Sequence, residues 1–331
     1  MAKLATWGNE LYSGKRSYPF IGQRKLWFGI ALVLIVLSVL VPVVRGGFNL
    51  GIDFRGGNEF QVAQVHKTDP KVGDDAAHEV IPDKNARTTH LASNTMRVQT
   101  DPLTGQQADD LKAALAKAYE TDVDKVSVSS IGPTWGADVS RQAGIGLVVF
   151  MVLVALLMAI YFRTWKMSLA AVGGLIVVMI VTSGIYAAVG FEVTPSAVIG
   201  FLTILSYCLY DTVVVFDKIR ENTSDPALKY VMTFDEKVNR AVNQTLVRSI
   251  NTSVVAILPV GSILFIGYWL LGAGTLGDLA LALFVGIIVS TLSTLFIQAP
   301  LYYQLRKGDA DVKELDAEVA QHREESAEAL A

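Results

Sequence analysis

Long apolar runs separated by polar connections dominate the chain. Six of them stand out: Phe28–Val44, Ala143–Tyr161, Met167–Val189, Ala197–Phe216, Val254–Leu271 and Leu279–Leu301. Each meets or approaches the roughly 20 residues that a membrane-spanning helix needs. Between the first two runs lies the one polar stretch long enough to fold by itself, residues 46–141. Within it Phe60, Val62 and Val65 alternate as in a strand, and Gly56 and Gly57 predict a bulge or tight bend at its start. Met96 and Val98 mark a second strand, and Val126, Val128 and Ile131 a third, closed by Gly132 and Pro133. Thr104 as N-cap with Gln107 three residues on opens a helix whose apolar face is Leu111, Leu115 and Tyr119. Residues 66–93 are polar and show no clear period. Strands around a helix predict a small α+β domain. The expected organisation is a polar N-terminal segment over 1–27, a first span over 28–45 and this domain over 46–141. Five further spans follow within 142–301, with a charged connection at 217–240, and then an acidic tail over 302–331 whose composition from Arg306 on reads as a solvated, disordered or loosely helical segment.

Composition agrees with a membrane protein: 52% of the 331 residues are apolar and only 18% charged. The first run follows a polar segment, is too long for the core of a signal peptide, and has five more behind it, so it reads as a retained span. Lys3, Lys15, Arg16, Arg24 and Lys25 precede it; Arg163 and Lys166 separate the second and third runs. Lys218, Arg220, Lys229, Lys237 and Arg240 separate the fourth and fifth, while the turns Phe191–Pro195 and Gly272–Gly277 carry no cation. The positive-inside rule then puts both termini in the cytoplasm and the α+β domain outside. A net charge of −3 says little, because it sums two compartments. The single cysteine, Cys208, lies inside the fourth run, which leaves no intramolecular disulfide and no cysteine metal site.

One residue breaks the apolar pattern. Asp211 sits within the fourth run, and a carboxylate at membrane depth is expensive enough to be a functional candidate by default. Thr203, Tyr207, Tyr210 and Asp211 fall at i, i+4, i+7 and i+8 and share a helix face. Lys218 lies about 10 Å further along such a helix, so Asp211 is too deep to snorkel. From Ala241 to Gly277 the only charge is Arg248, which is either an interfacial cation or a buried one. On a helix it shares a face with Gln244, Asn251 and Thr252. The demand of a buried carboxylate for a cation or donors favours the buried reading. Ser290, Thr294 and Gln298 form a third polar seam on the sixth run.

No nucleotide-binding loop, no HExxH and no histidine within a span is present, so nothing points to a cofactor or a metal, and ATP hydrolysis and zinc proteolysis are unsupported. His66, His78 and His90 fall in the weakly patterned stretch at no metal-like spacing. Asp211 and Asp278 do not make an aspartyl-protease dyad, because they lie near opposite faces of the membrane. What remains is one protonatable group against a movable cation. An approaching Arg stabilises the carboxylate and its withdrawal favours the protonated acid, which suits proton-coupled, non-enzymatic work. A half-transporter for a small molecule or lipid, and a subunit in which Asp211 and Arg248 only specify the fold, are the competing readings.

Three segments add a resemblance. They are Gly51-Ile52-Asp53-Phe54-Arg55-Gly56-Gly57, Asp211 through Asp217, Arg220, Glu221 and Asn222, and Gln244 through Arg248 and Thr252 to Ser253. In these the chain resembles the SecD/SecF family of the resistance-nodulation-division (RND) superfamily. The resemblance implies an RND-type half of six transmembrane helices with a ferredoxin-like external domain. It implies Asp211 as proton carrier, Arg248 as its switching partner and Thr252 in the same path. It further implies the bacterial cytoplasmic membrane, with SecD, the SecYEG translocon, preproteins, protons and membrane lipid as partners and no nucleic acid. Tyr210 stands where many such proteins have Asn, and Lys218 where Arg is common.

Overall fold

The computed structural model describes residues 2–92, 94–162, 164–268 and 274–328. Arg163 of the second connection, the end of the fifth apolar run and Gly272 of the last turn lie outside the described residues. The chain forms α1 (Ala2–Ser13), α2 (Arg24–Val44), α3 (Ile52–Arg55), β1 (Gly57–Ala63), α4 (Pro70–Val80), β2 (Ala86–Ala92), β3 (Thr95–Thr100), α5 (Gly105–Ala118) and β4 (Val126–Ile131). The bundle continues with α6 (Pro133–Phe162), α7 (Trp165–Val189), α8 (Pro195–Ser224) and α9 (Phe234–Ser262), extended by a π-helical turn at Ile263–Tyr268. Last come α10 (Gly274–Ser293), a π-helical turn at Thr294–Gln298, α11 (Ala299–Arg306) and α12 (Ala310–Glu328). Six helices among the described residues are long and apolar enough to cross a membrane, which makes this a multi-pass membrane protein.

The membrane helices outrun their apolar segments. Thr194 caps α8 by accepting from Ala197 N at 3.2 Å, with Pro195 preset for the first turn, and the helix then runs on through its charged end to Ser224. A capping box of Thr233 and Glu236 starts α9 well before its apolar run. Arg248 is therefore mid-helix. Helices α7, α8 and α10 form the centre of the bundle, and α2, α6 and the distal part of α9 present exposed leucines and valines at its surface.

The α+β domain is a four-stranded antiparallel sheet in the order β2-β3-β1-β4. With α4 between β1 and β2 and α5 between β3 and β4, this is the ferredoxin-like arrangement. Phe60, Val62, Met96 and Val98 point to α4 and α5, where Leu111, Leu115 and Tyr119 complete a buried core. The expected capping box of α5 is present, and Tyr119, pushed up to about 12 chiefly by burial, stays neutral. Two elements, α4 and β2, lie in the stretch whose pattern predicted neither. Helix α4 is built from an Asp69 cap, Pro70 and the small buried Gly73, Ala76 and Ala77, so it has no large apolar stripe to read. Strand β2 is an edge, mostly polar, and among the described residues it pairs only with β3. Gly56 and Gly57 do make the tight bend, at φ of +76° and +146°.

The tail is a second difference. It forms α12, docked rather than solvated: Val312 joins the core of the bundle with Leu315 packed against it, and Val319 is fully buried. Asp316 Oδ1 accepts from Phe234 N at 2.8 Å, and Arg323 pairs with Glu236 at 2.7 Å. Lys166 pairs with Asp309 at the start of the tail, holding the Asp309 carboxyl below the usual carboxylate range. Three apolar residues at i, i+3 and i+7 suffice to seat a helix whose remaining positions are charged, polar or alanine. The N-terminal segment packs too: Leu11 is buried and Gly8 meets Val247 of α9. Helices α1 and α12 thus lie together at the far end of the bundle, opposite the α+β domain.

Candidate functional site

Asp211 is at the middle of α8, about 24 Å along the helix from Pro195, and only 5% exposed. Its Oδ1 accepts from Ser249 Oγ of α9 at 2.6 Å. Among the described residues its Oδ2 is buried and has no hydrogen-bond partner. Thr294 lies beside the same carboxyl, with its hydroxyl donating to the Ser290 carbonyl at 3.1 Å. Around this centre a polar layer joins three helices. Thr212 Oγ1 donates to Gln298 Oε1 at 2.6 Å, Gln298 Nε2 to Cys208 Sγ at 3.4 Å, and Tyr207 Oη to Ser253 Oγ at 3.4 Å. Ser253 and Thr291 share a hydrogen bond of 2.6 Å. The π-helical turn at Thr294–Gln298 precedes Pro300, which has no N–H to continue a regular α-helix. The expected seam of Ser290, Thr294 and Gln298 is fully buried here.

Arg248 is not bonded to Asp211. It is exposed, and its Nη2 donates to the Tyr210 hydroxyl at 3.1 Å, one residue away from the carboxylate. Thr252 Oγ1 donates to the Arg248 carbonyl of its own helix at 2.7 Å. Gln244, Arg248, Asn251 and Thr252 instead line an open groove of 1160 Å³ at the far end, walled by α8, α9 and α1. Thr203 is exposed and donates to the Ile199 carbonyl of its own helix at 2.8 Å, outside this polar layer. The face of α9 turned to Asp211 carries Thr245, Ser249 and Ser253, all buried. Their spacing of four is visible in the sequence, whereas the demand of a buried carboxylate for a cation points to the neighbouring stripe.

The other motif residues serve connections. Gly51 N donates to Val193 O at 2.9 Å, and a Cβ on Gly51 would meet Glu192 at 3.0 Å. Asp53 and Phe54 lie on α3, and a Cβ on Gly136 of α6 would stand 2.7 Å from the Phe54 carbonyl. Gly56 lets the start of α6 approach, since a Cβ there would lie 2.9 Å from Pro133 Cα, and Gly57 lets β3 approach, since a Cβ there would overlap the Thr100 carbonyl. Asp217 accepts from Tyr161 Oη at 2.7 Å, Glu221 pairs with Lys218 at 2.6 Å, and Asn222 Nδ2 donates to Gln244 Oε1 at 2.9 Å. Arg220 is exposed.

Residues 111–308 match the protein export membrane protein family SecD/SecF in its C-terminal part, and residues 45–63 match the SecD/SecF GG motif. The chain belongs to the SecD/SecF family. It is 42% identical to the protein translocase subunit SecF of Streptomyces coelicolor, over 99% of this chain and 87% of that one. Against SecF of Mycobacterium tuberculosis it is 39% identical, over 90% of this chain and 69% of the other. The crystal structure of SecDF, a translocon-associated membrane protein from Thermus thermophilus, superposes with a TM-score of 0.75 at 28% identity, over 88% of this chain and 39% of that one. This chain therefore spans about two-fifths of the length of SecDF. SecD/SecF membership places it among the membrane proteins of protein translocation.

Proposed function

We propose that this chain is a non-enzymatic subunit that couples a proton gradient to protein export, with Asp211 as the group that takes up and releases the proton. The observation that carries the reading is the Asp211 carboxyl itself: nearly sealed, with one oxygen held by Ser249 and the other unpaired among the described residues. Such an oxygen is stabilised by a proton or by a cation, and either one alone suffices. Arg248, held at Tyr210 beside it, is the cation within reach, and Thr252 lies on the same groove. Exchange between a protonated acid and an Arg-paired carboxylate gives α8 and α9 two arrangements. A proton falling through 100 mV supplies about 2.3 kcal/mol to bias them.

The SecDF relatives carry this half and more in one chain, which supports a SecD-type partner on a separate chain here. With it we place the protein in the cytoplasmic membrane, α1 and α12 inside and the α+β domain outside, as its Lys and Arg distribution indicates. It acts there on preproteins at the SecYEG translocon. The test is preprotein translocation in membrane vesicles with and without an imposed proton gradient, for the wild type, Asp211→Asn and Arg248→Ala. Both variants, assembled normally, are expected to lose the gradient-stimulated part of translocation. Full stimulation in Asp211→Asn would overturn the proposal.

A further inference from the structure

The β-sheet has a second face that the ferredoxin-like core does not use. Glu59 and Gln61 of β1 and Arg97 and Gln99 of β3 alternate with the core residues and point to the bundle, and Arg97 and Gln99 are buried there. Arg97 Nη1 donates to Glu192 Oε2 at 3.0 Å, across the junction to the segment joining α7 and α8, and Arg97 Nε lies 3.8 Å from Glu59 Oε2 on its own sheet. Gln99 Nε2 makes the same double contact, at 2.7 Å to Glu192 Oε1 and 3.1 Å to Glu59 Oε2. Asp278, at the start of α10, faces the cluster, and two cavities of 350 and 400 Å³ flank it, each lined by Arg97, Glu192 and Asp278. Burial, with Glu59 and Glu192 adding to it, pushes the nearby Asp53 carboxyl above its usual range.

We propose that this polar face is a releasable joint between the domain and the N-terminal end of α8, with Arg97 as its positioning residue. Its chemistry separates it from the apolar face opposite. Detaching Phe60 and Val98 from α5 would expose a hydrophobic core, whereas a polar interdomain junction beside cavities exchanges its contacts for water at little loss. The double contacts matter most. If the domain tilts away, Arg97 and Gln99 keep Glu59 as a partner, and Glu192 passes to solvent, so no charge is stranded in a buried site. Two residues after Glu192 comes Thr194, the cap of α8, so Glu192 sits at the head of the helix that carries Asp211. A pivot is present as well: Val193 N donates to Asn49 O at 2.8 Å and Gly51 N to Val193 O at 2.9 Å, next to Gly46 and Gly47 at positive φ. What drives the joint rests on the proton reading of Asp211; that it opens does not.

The test uses the full chain in its assembled membrane complex. Spin labels at Asp110→Cys on α5 and Val189→Cys on α7, both exposed positions, report the domain-to-bundle distance. The key variant is Glu192→Gln, which removes the bundle's charge and leaves the Arg97–Glu59 pair intact, so folding of the domain is preserved. It is expected to broaden the distance distribution and to lower gradient-stimulated translocation about tenfold, within the span of ordinary coupling free energies. Arg97→Gln is expected to match it, and Arg97→Lys to restore most of both. An unchanged distance distribution in Glu192→Gln and Arg97→Gln would overturn the joint. Altered distances with undiminished stimulation would overturn its coupling to α8. A wild type without gradient dependence would refute the proton reading, while the distances would still decide the joint.

Discussion

Helix α8 is two helices in its packing. Toward the domain it is dry: Gly200 meets α10 so closely that a Cβ would lie 2.6 Å from Ala282 Cβ, and a Cβ on Gly286 of α10 would overlap Ile204. Phe201, Ile204 and Leu205 are buried there with Ala282. Two turns further, the same pair of helices meets through Cys208, Asp211, Thr212, Thr294 and Gln298. In a membrane neither half gains from hydrophobic burial against its neighbour. The dry half holds by close approach of small residues, and the polar half by matched hydrogen bonds. The dry half seals Asp211 from the domain end, and the groove with Arg248 approaches it from the other. Among the described residues the polar half keeps two buried atoms unmatched, the Oδ2 of Asp211 and the Oγ of Ser290, and only the first belongs to a group that can carry a charge.

The contrast breaks most readily at its dry end. Gly286→Val forces a side chain onto Ile204 and is expected to destabilise the bundle by about 3 kcal/mol, read by denaturant unfolding in detergent. Ser249→Val removes the donor to Oδ1 and leaves a buried acceptor unpaired, an expected loss of about 1–3 kcal/mol. Arg248→Gln touches an exposed side chain, so stability should change by only about 0.5 kcal/mol, while gradient-driven export is lost. That split separates a switching cation from one that only holds the fold. Thr252→Val, whose hydroxyl bonds its own helix, should have the smallest effect on both readouts.

Much of this was legible beforehand, and the reasons differ by region. The spans follow from apolar length, and Asp211 from its cost in such a run. The sixth-span seam follows because Ser290, Thr294 and Gln298 keep a helical spacing. Helix α4 escaped because Gly73, Ala76 and Ala77 pack by being small, and β2 because an edge strand can stay polar. Docking of α12 escaped because charge outweighs its three apolar contacts in any compositional reading. The hydroxyl that holds Asp211, Ser249, gives no signal of its own in the sequence: a buried carboxylate accepts a hydroxyl as readily as it demands a cation, and Ser249 adjoins the conspicuous Arg248. The polar sheet face carried a signal, alternating charge and amide on β1 and β3, but its meaning needed Glu192, which is remote in sequence.

The most direct measurement follows the carboxyl of Asp211 itself. Infrared difference spectra of the assembled complex in membranes, with a proton gradient imposed and then collapsed, are compared between the wild type and Asp211→Asn. The account predicts a carboxylic-acid carbonyl band that appears and disappears with the gradient in the wild type and is missing from the variant. A gradient response that keeps the same carboxyl band in Asp211→Asn would contradict it.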